Sequence, residues 1–427
     1  MMRLLPFILL AVLGSPVLYA QSQPLFSYAG KYSGREGRVT AGTKLTLNRT
    51  VLQTLMQTRP EQLDILLPVN GTQQTLHLKK ASLFHGYFDV TQSSDLKSVD
   101  YTPGYYLQGT MLGKDQSLVA ISLFNDHVGG VMAFDGNTYN IGEANTQFDY
   151  SSNDYIIFKE SDCTVPRLRC DMPEEKVMAA VSQQLFARNT QYVGCPVDIY
   201  FETSFSMYTS LGSTQNVMNY LTTLFNVIQT IYGNENILIQ LRDVKVWNTT
   251  DPEAGTTTSA AALNSFSSRM GAGFNGDLAE YITFSDLGGG RGYLDVLCSS
   301  ASSRTGANGN MRATYPAFPA YSFTVNVVAH EMGHNFGSPH THSCSWPGGA
   351  IDDCYATEGG CPAGPHPTNG GTMMSYCHLT FSVGVNFSNG FGPLPGNLIR
   401  SRTTAASCLC TCSDIKLDVT TQDIGCG

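Results

Sequence analysis

Charge is scarce in this chain. Only 14% of its 427 residues are Asp, Glu, Lys or Arg, and they leave a net charge of -9. No stripe of clustered Lys and Arg is present. That excludes an electrostatic grip on nucleic acid, which needs many cations to neutralise phosphates. Nothing after the first twenty residues has the apolar length of a membrane span, and the early apolar run over residues 4–13 is too short for one. Cysteine is absent from the first 162 residues; all twelve occur from Cys163 onward. Internal repeats and low-complexity tracts are missing as well. What is there is a 42% hydrophobic composition, enough for ordinary globular cores, and a length that suggests two or three domains.

The N-terminus has the pattern of an export signal over residues 1–20. Arg3 precedes the apolar run, Gly14-Ser15-Pro16 breaks it, and Ala20 offers a cleavage site. Export places the cysteines in an oxidising compartment and favours disulfides. The triplet Cys408, Cys410 and Cys412 fits disulfides or a second metal, and export favours the former. Four sequons begin at Asn48, Asn70, Asn248 and Asn386.

Residues 21–162 read as strand-rich. Runs such as Leu63-Asp64-Ile65-Leu66-Leu67 and Ser117-Leu118-Val119-Ala120-Ile121-Ser122 lie between turn residues, and Asn70-Gly71 and Asp135-Gly136 are hairpin turns. Residues 163–190 carry Pro166-Arg167, Arg169, Pro173 and Glu174-Glu175-Lys176, the composition of a protease-accessible linker. Strand and helix patterns alternate beyond it. Residues 197–201 alternate as a strand. A helix starts at Ser213, buries one face through Val217, Leu221, Leu224, Ile228 and Ile231, and stops at Gly233. A strand over 237–247, a helix over 258–270 and short strands over 281–284 and 293–298 follow, an α/β alternation.

The chemistry concentrates in Ala329-His330-Glu331-Met332-Gly333-His334-Asn335-Phe336-Gly337-Ser338-Pro339-His340. Two histidines four apart stand on one helical face and can grip one ion. Glu331, next to the first ligand, can reach a water on that ion as general base. Gly337 can take a positive φ, so the chain turns sharply and brings His340 back as third ligand. Three neutral imidazoles suit one Zn²⁺ ion and leave a fourth position for water. His342 competes for the third position, but the spacing after Gly337 favours His340; His342, His366 and His378 read as loop histidines. A chance match to all five fixed positions is on the order of one in ten thousand or rarer.

This segment resembles the zinc signature of the metzincin metalloproteases. Gly371-Thr372-Met373-Met374-Ser375-Tyr376 is similar to their methionine turn, with Met374 beneath the metal. Ala279-Glu280-Tyr281-Ile282-Thr283-Phe284 and Gly292-Tyr293-Leu294-Asp295-Val296-Leu297-Cys298 resemble the two strands ahead of the zinc helix in the reprolysin (adamalysin-like) group. Upstream, residues 104–109 through 129–132 are similar to the reprolysin propeptide. The resemblance covers most of the chain. It implies an α+β/α/β metzincin catalytic domain over 191–412, with a twisted mixed sheet, long helices and a zinc cleft. A mostly β prodomain over 21–162 would precede it and a short tail over 413–427 would follow.

By the same resemblance the chain is a secreted zinc endopeptidase made as a zymogen and acting on protein or peptide substrates. Calcium and the oligomeric state are not readable. Tyr376 departs from animal reprolysins, which usually have proline there; it is similar to the tyrosine of astacins and serralysins that binds zinc or the oxyanion. It is read as either catalytic or packed. The strand over 293–298 would pair with extended peptide. Cys298 would join one of Cys408, Cys410 or Cys412, and Cys344, Cys354, Cys361 and Cys377 would cross-link loops around the site. Residues 166–173 are loosely similar to cysteine-switch segments, so Cys163 and Cys170 are either a latency ligand for the zinc or a disulfide with each other. The alternative to an enzyme is an inactive secreted binding or adhesion module of the same fold, against which stands the complete set of ligands, base and methionine.

Overall fold

Alternation of small apolar runs with Asn-Gly and Asp-Gly turns dictates antiparallel hairpins in the N-terminal region, and the computed structural model shows them. It describes residues 24–34, 39–93, 97–144, 152–162, 195–311, 322–380 and 382–409. The strands are β1 (Phe26–Tyr32), β2 (Gly42–Leu47), β3 (Gln62–Val69), β4 (Thr72–Lys80), β5 (Phe84–Gln92), β6 (Tyr105–Met111), β7 (Leu118–Leu123), β8 (Val128–Phe134), β9 (Asn137–Glu143) and β10 (Asp154–Lys159), with helix α1 (Arg49–Thr58) between β2 and β3. Nine of them form one antiparallel sheet in the order β1-β2-β10-β9-β8-β7-β6-β4-β3. Asn70-Gly71 and Asp135-Gly136 turn β3 into β4 and β8 into β9 with φ of 51°, 80°, 48° and 72°, the left-handed pairs that match strand twist.

The second region holds β11 (Val197–Thr203), α2 (Phe205–Leu211), α3 (Thr214–Asn234), β12 (Ile239–Val246), α4 (Ser259–Met270), β13 (Leu278–Ile282), β14 (Gly290–Gly292), β15 (Thr305–Asn308), α5 (Ser322–Asn335) and α6 (Pro393–Ala405). Its mixed sheet runs β14-β15-β13-β11-β12-β5, with only β14 antiparallel to its neighbour. Hydroxyl caps start two helices: Ser213 accepts from Asn216 N–H and Thr258 from Ala261 N–H, both at 3.1 Å, each worth about 1 kcal/mol. Helix α3 does not stop at Gly233. It runs to Asn234, and Asn236, at φ 57°, makes the left-handed turn.

Two features of the packing also differ from the sequence reading. Strand β5 leaves the N-terminal sheet and lies parallel to β12, as the outermost strand of the second sheet. And α3 is buried nearly all round, not on one face. The reason is visible in β7, whose residues are all buried. Val119, Ile121 and Leu123 point into a core of the N-terminal sheet, while Leu118 and Ala120 join the core around α3. A continuous apolar run is what a strand covered on both faces requires. The polar side of α3, which reads as solvent-facing, meets the sheet instead. Buried Asn226 donates to Ile121 O and Ser122 Oγ at 3.1 Å and accepts from Gln108 at 3.0 Å. Tyr101 Oη lies 3.1 Å from Thr222 Oγ1.

The two regions therefore share strand pairing, one hydrophobic core and buried polar contacts. Cutting the chain within 163–194 is expected to leave both pieces co-eluting in native gel filtration under reducing conditions, and to separate them only in denaturant. Release of the N-terminal piece in native buffer would contradict the shared core.

Candidate metal centre

Helix α5 presents His330 and His334 one turn apart, and both are buried with Glu331 and His340. The C-terminal end of α5 is what sets the third histidine. Gly337 takes φ 103°; its N–H donates to His334 O at 2.8 Å and Ser338 N–H donates to Gly333 O at 3.0 Å. This is the double hydrogen-bonded C-cap that a left-handed glycine allows. The chain then folds back through Pro339, so that one potential ligand nitrogen from each of His330, His334 and His340 lies within 4.8 Å of the others.

Residues 293–298 were expected as a strand and are not one. Asp295 and Cys298 have φ of 59° and 67°, which no strand tolerates. Their backbone serves α5: Asp295 N–H donates to His334 O at 2.9 Å and Val296 N–H to Asn335 O at 3.0 Å. These bonds satisfy carbonyls that a helix end leaves open. The strand at the edge of the sheet is β14, three residues earlier.

Each ring is oriented from behind. His330 Nδ1 lies 2.7 Å from Met373 O, His334 Nδ1 2.7 Å from Ser338 O, and His340 Nδ1 2.7 Å from a Glu358 carboxylate oxygen. Carbonyl and carboxylate oxygens only accept, so Nδ1 carries the proton in all three rings and Nε2 holds a lone pair. His334 Nε2 and His340 Nε2 are 3.2 Å apart. Between two neutral rings of this tautomer that is a pair of facing lone pairs, not a hydrogen bond. His330 Nε2 is buried and has no hydrogen-bond partner among the described residues. Two nitrogens each about 2.0–2.1 Å from a tetrahedral ion stand about 3.3 Å apart. The donor set, its tautomers and its spacing fit a zinc ion with one position open.

Burial pushes the His330 and His334 imidazoles well below their ordinary pKa, helped by the neighbouring rings, and lowers His340 to about 4 against the pull of Glu358. For Glu358 burial acts upward, but the hydrogen bond from His340 and the pull of His342, 3.3 Å away, outweigh it and hold the carboxyl well below the usual range.

The turn over residues 371–376 packs against α5. Met374 Sδ lies where a Cβ on Gly333 would stand, and Phe391 Cε1 would be 3.0 Å from that Cβ. Glycine in the middle of the motif is thus what lets the methionine reach the helix. Met374 O also accepts from Thr341 N–H at 3.1 Å, tying the turn to the His340 segment. Glu331 packs against the edge strand: a Cβ on Gly290 would be 2.5 Å from its Oε1. Below it, the fully buried Glu280 accepts from Asn308 Nδ2 at 2.7 Å. Burial raises its carboxyl well above the usual range and the Glu331 charge adds to this.

Tyr376 is buried, its ring 4.6 Å from that of His340, 4.8 Å from His342 and 5.1 Å from Tyr355. His342 is more than a loop histidine: its ring stacks on His340 at 4.8 Å and 12°. His378 is buried near Tyr376, and of the three His366 is the exposed one, beside Asp353. Cys163 and Cys170 lie outside the described residues. Bridges join Cys298–Cys408, Cys344–Cys361 and Cys354–Cys377, and Cys195 is disulfide-bonded too. Sequence reasoning missed Glu358, Gly333 and Gly290. The motif itself holds Gly333; a Glu inside a cysteine-bracketed, glycine-rich loop was the available sign of Glu358.

Residues 196–388 match the family Reprolysin_5, Metallo-peptidase family M12. Among solved structures the chain is similar to the crystal structure of metalloproteinase-II from Bacteroides fragilis, at 13% identity and a TM-score of 0.41, covering 67% of this chain and 84% of that one.

Two outcomes follow. Metal-free protein should lose stability as pH falls from about 6.5 toward 4. In that window the unfolded chain protonates its histidines while the buried rings stay neutral, so unfolding takes up protons. A flat urea midpoint across it would contradict the burial. Gly333→Ala should cost about 1–3 kcal/mol through overpacking against Met374, read by urea denaturation with zinc present.

Proposed function

We propose that this chain, whose residues 196–388 form a reprolysin-type region of metallopeptidase family M12, is a secreted zinc endopeptidase of the metzincin type, made as a precursor. The observation that carries this reading is the convergence of three buried Nε2 lone pairs, each fixed by an acceptor at Nδ1, beside a buried glutamate.

His330, His334 and His340 hold the ion. Zinc bound there supplies Lewis acidity, polarising a carbonyl and making water more acidic. Glu331 takes the proton from the attacking water onto a carboxylate oxygen and passes it to the leaving amine. Its neighbours support that role: β14 supplies a glycine wall, and the buried Glu280 keeps a second carboxyl close by. Met374 packs the floor. The Tyr376 hydroxyl stabilises the developing oxyanion, a reading supported by its place against His340 and His342. Extended peptide pairs with β14, the outermost strand of its sheet, rather than with residues 293–298.

In this proposal residues 1–20 are the export leader, 21–162 the prodomain, 163–190 the processing segment, 191–412 the catalytic domain and 413–427 a tail. Cys163 and Cys170 either offer the ion a thiolate in the precursor or bridge each other. Processing then lifts a local block, and the N-terminal sheet stays in place. No helix among the described residues is long and apolar enough to cross a membrane, and the disulfides accord with export.

Glu331→Gln should bind one zinc as the parent does and lose peptide hydrolysis about 10²–10⁴-fold. Near-parental turnover in the zinc-loaded variant would remove Glu331 as the base; a parent that binds zinc and cleaves nothing would make the chain an inactive binding module.

A further inference from the structure

The three ligand histidines are not held alike. His330 and His334 give their Nδ1 protons to backbone carbonyls, Met373 O and Ser338 O. His340 gives its proton to the side-chain carboxylate of Glu358. A carboxylate behind an imidazole raises its basicity and fixes its ring plane more strongly than a carbonyl does, because the acceptor carries full charge. The same Oε1 lies 3.3 Å from His342 Nε2. His342 in turn stacks flat on His340, so one carboxylate holds a layered pair of rings.

Glu358 belongs to no helix or strand; a cross-linked loop delivers it. Ser343 and Glu358 form an isolated parallel bridge, in which Cys344 N–H donates to Glu358 O at 2.8 Å and Glu358 N–H to His342 O at 3.1 Å. Cys344 then bonds covalently to Cys361, three residues beyond Glu358. Thr357 Oγ1 donates to Cys361 O at 2.8 Å. Gly359, at φ 106°, must lack a side chain because a Cβ would stand 3.0 Å from Cys344 Cβ. The bridge therefore clamps the segment carrying Glu358 onto the segment carrying His340 and His342.

We propose that Glu358 is a positioning residue for the metal ligand His340, and that the Cys344–Cys361 disulfide sets its grip, so that retention of the metal depends on the redox state of that bridge. The inference rests on the zinc-site reading above. Glu358 acts through His340. Removing the carboxylate frees the His340 ring to rotate and weakens it as a donor, while His330 and His334 keep their carbonyls. The weakened site releases zinc faster.

The test is zinc affinity of the purified full chain, measured by competition with chelators of graded strength, together with the zinc dissociation rate. Glu358→Ala should weaken zinc about 10–100-fold, the range for lost ligand-orienting partners. Glu358→Gln, which keeps a neutral acceptor, should fall between Glu358→Ala and the parent. The Cys344→Ser/Cys361→Ser double variant should also release zinc faster than the parent. Because zinc stabilises only the folded form, each variant should lose more melting temperature with zinc than without. A merely structural role would lower both forms equally and leave affinity unchanged; that result in Glu358→Ala and Glu358→Gln overturns the proposal. Parental zinc retention in the double cysteine variant removes the redox part. A parent chain that binds no zinc overturns the zinc-site reading itself, and this inference with it.

Discussion

The structure depends on how the C-terminal end of α5 is closed. Four carbonyls at a helix end need partners, and here they decide where the chain goes next. Gly337 and Ser338 return their N–H groups to the helix, while Asp295 and Val296 arrive from another part of the chain to cover His334 O and Asn335 O. Only this closure brings His340 back toward His330 and His334. A salt bridge of 2.8 Å from Arg402 of α6 to Asp295 holds the arriving segment, and the Cys298–Cys408 bridge, spanning 110 residues, ties it to the chain just beyond the same helix. A chain-entropy estimate for closing so long a loop is about 4–5 kcal/mol.

A buried polar site of this kind is stable only if its groups are mutually satisfied. The rings are kept neutral by burial, and their protons are all spent on acceptors behind them. What is left facing inward is three lone pairs, an arrangement that repels itself in the absence of a cation. The scaffold tolerates this because α5 is held on several sides. Its inner face packs on β13, β14 and β15. Tyr232 of α3 donates its hydroxyl to Ala329 O at 2.9 Å, one residue before His330. Helix α3 is in turn sandwiched by the N-terminal sheet, so that sheet supports the metal centre at one remove.

Much of this was legible in the chain. The HExxHxxGxxH pattern carries its own geometry, since a helical repeat of 3.6 residues and one left-handed glycine suffice to place three rings together. The hairpin turns at Asn70-Gly71 and Asp135-Gly136 and the helix starts at Ser213 and Thr258 are local signals; the turns stand where the sequence puts them, and the two hydroxyl residues cap helices that begin one residue later. Apart from the end of α3, set one residue past Gly233, the failures are long-range. Periodicity cannot say that the polar side of α3 faces a second sheet, because Asn226, Thr222 and Gln229 look the same whether water or backbone carbonyls meet them. Strand β5 carries no mark of which sheet it joins. Residues 293–298 are apolar except for Asp295 and read as a short strand, but the stronger demand of capping α5 takes their backbone instead. Glu358 is hard to read for the same reason: its partner His340 is 18 residues away, and the disulfide-clamped bridge brings them to 2.7 Å.

The central claim is three nitrogen donors with one corner left to solvent. X-ray absorption at the zinc edge of the metal-loaded, processed protein measures it most directly. The account predicts one zinc per chain with three imidazole nitrogens and one exchangeable oxygen. A fourth side chain bound permanently, a sulfur in the shell, or no stoichiometric zinc would contradict it.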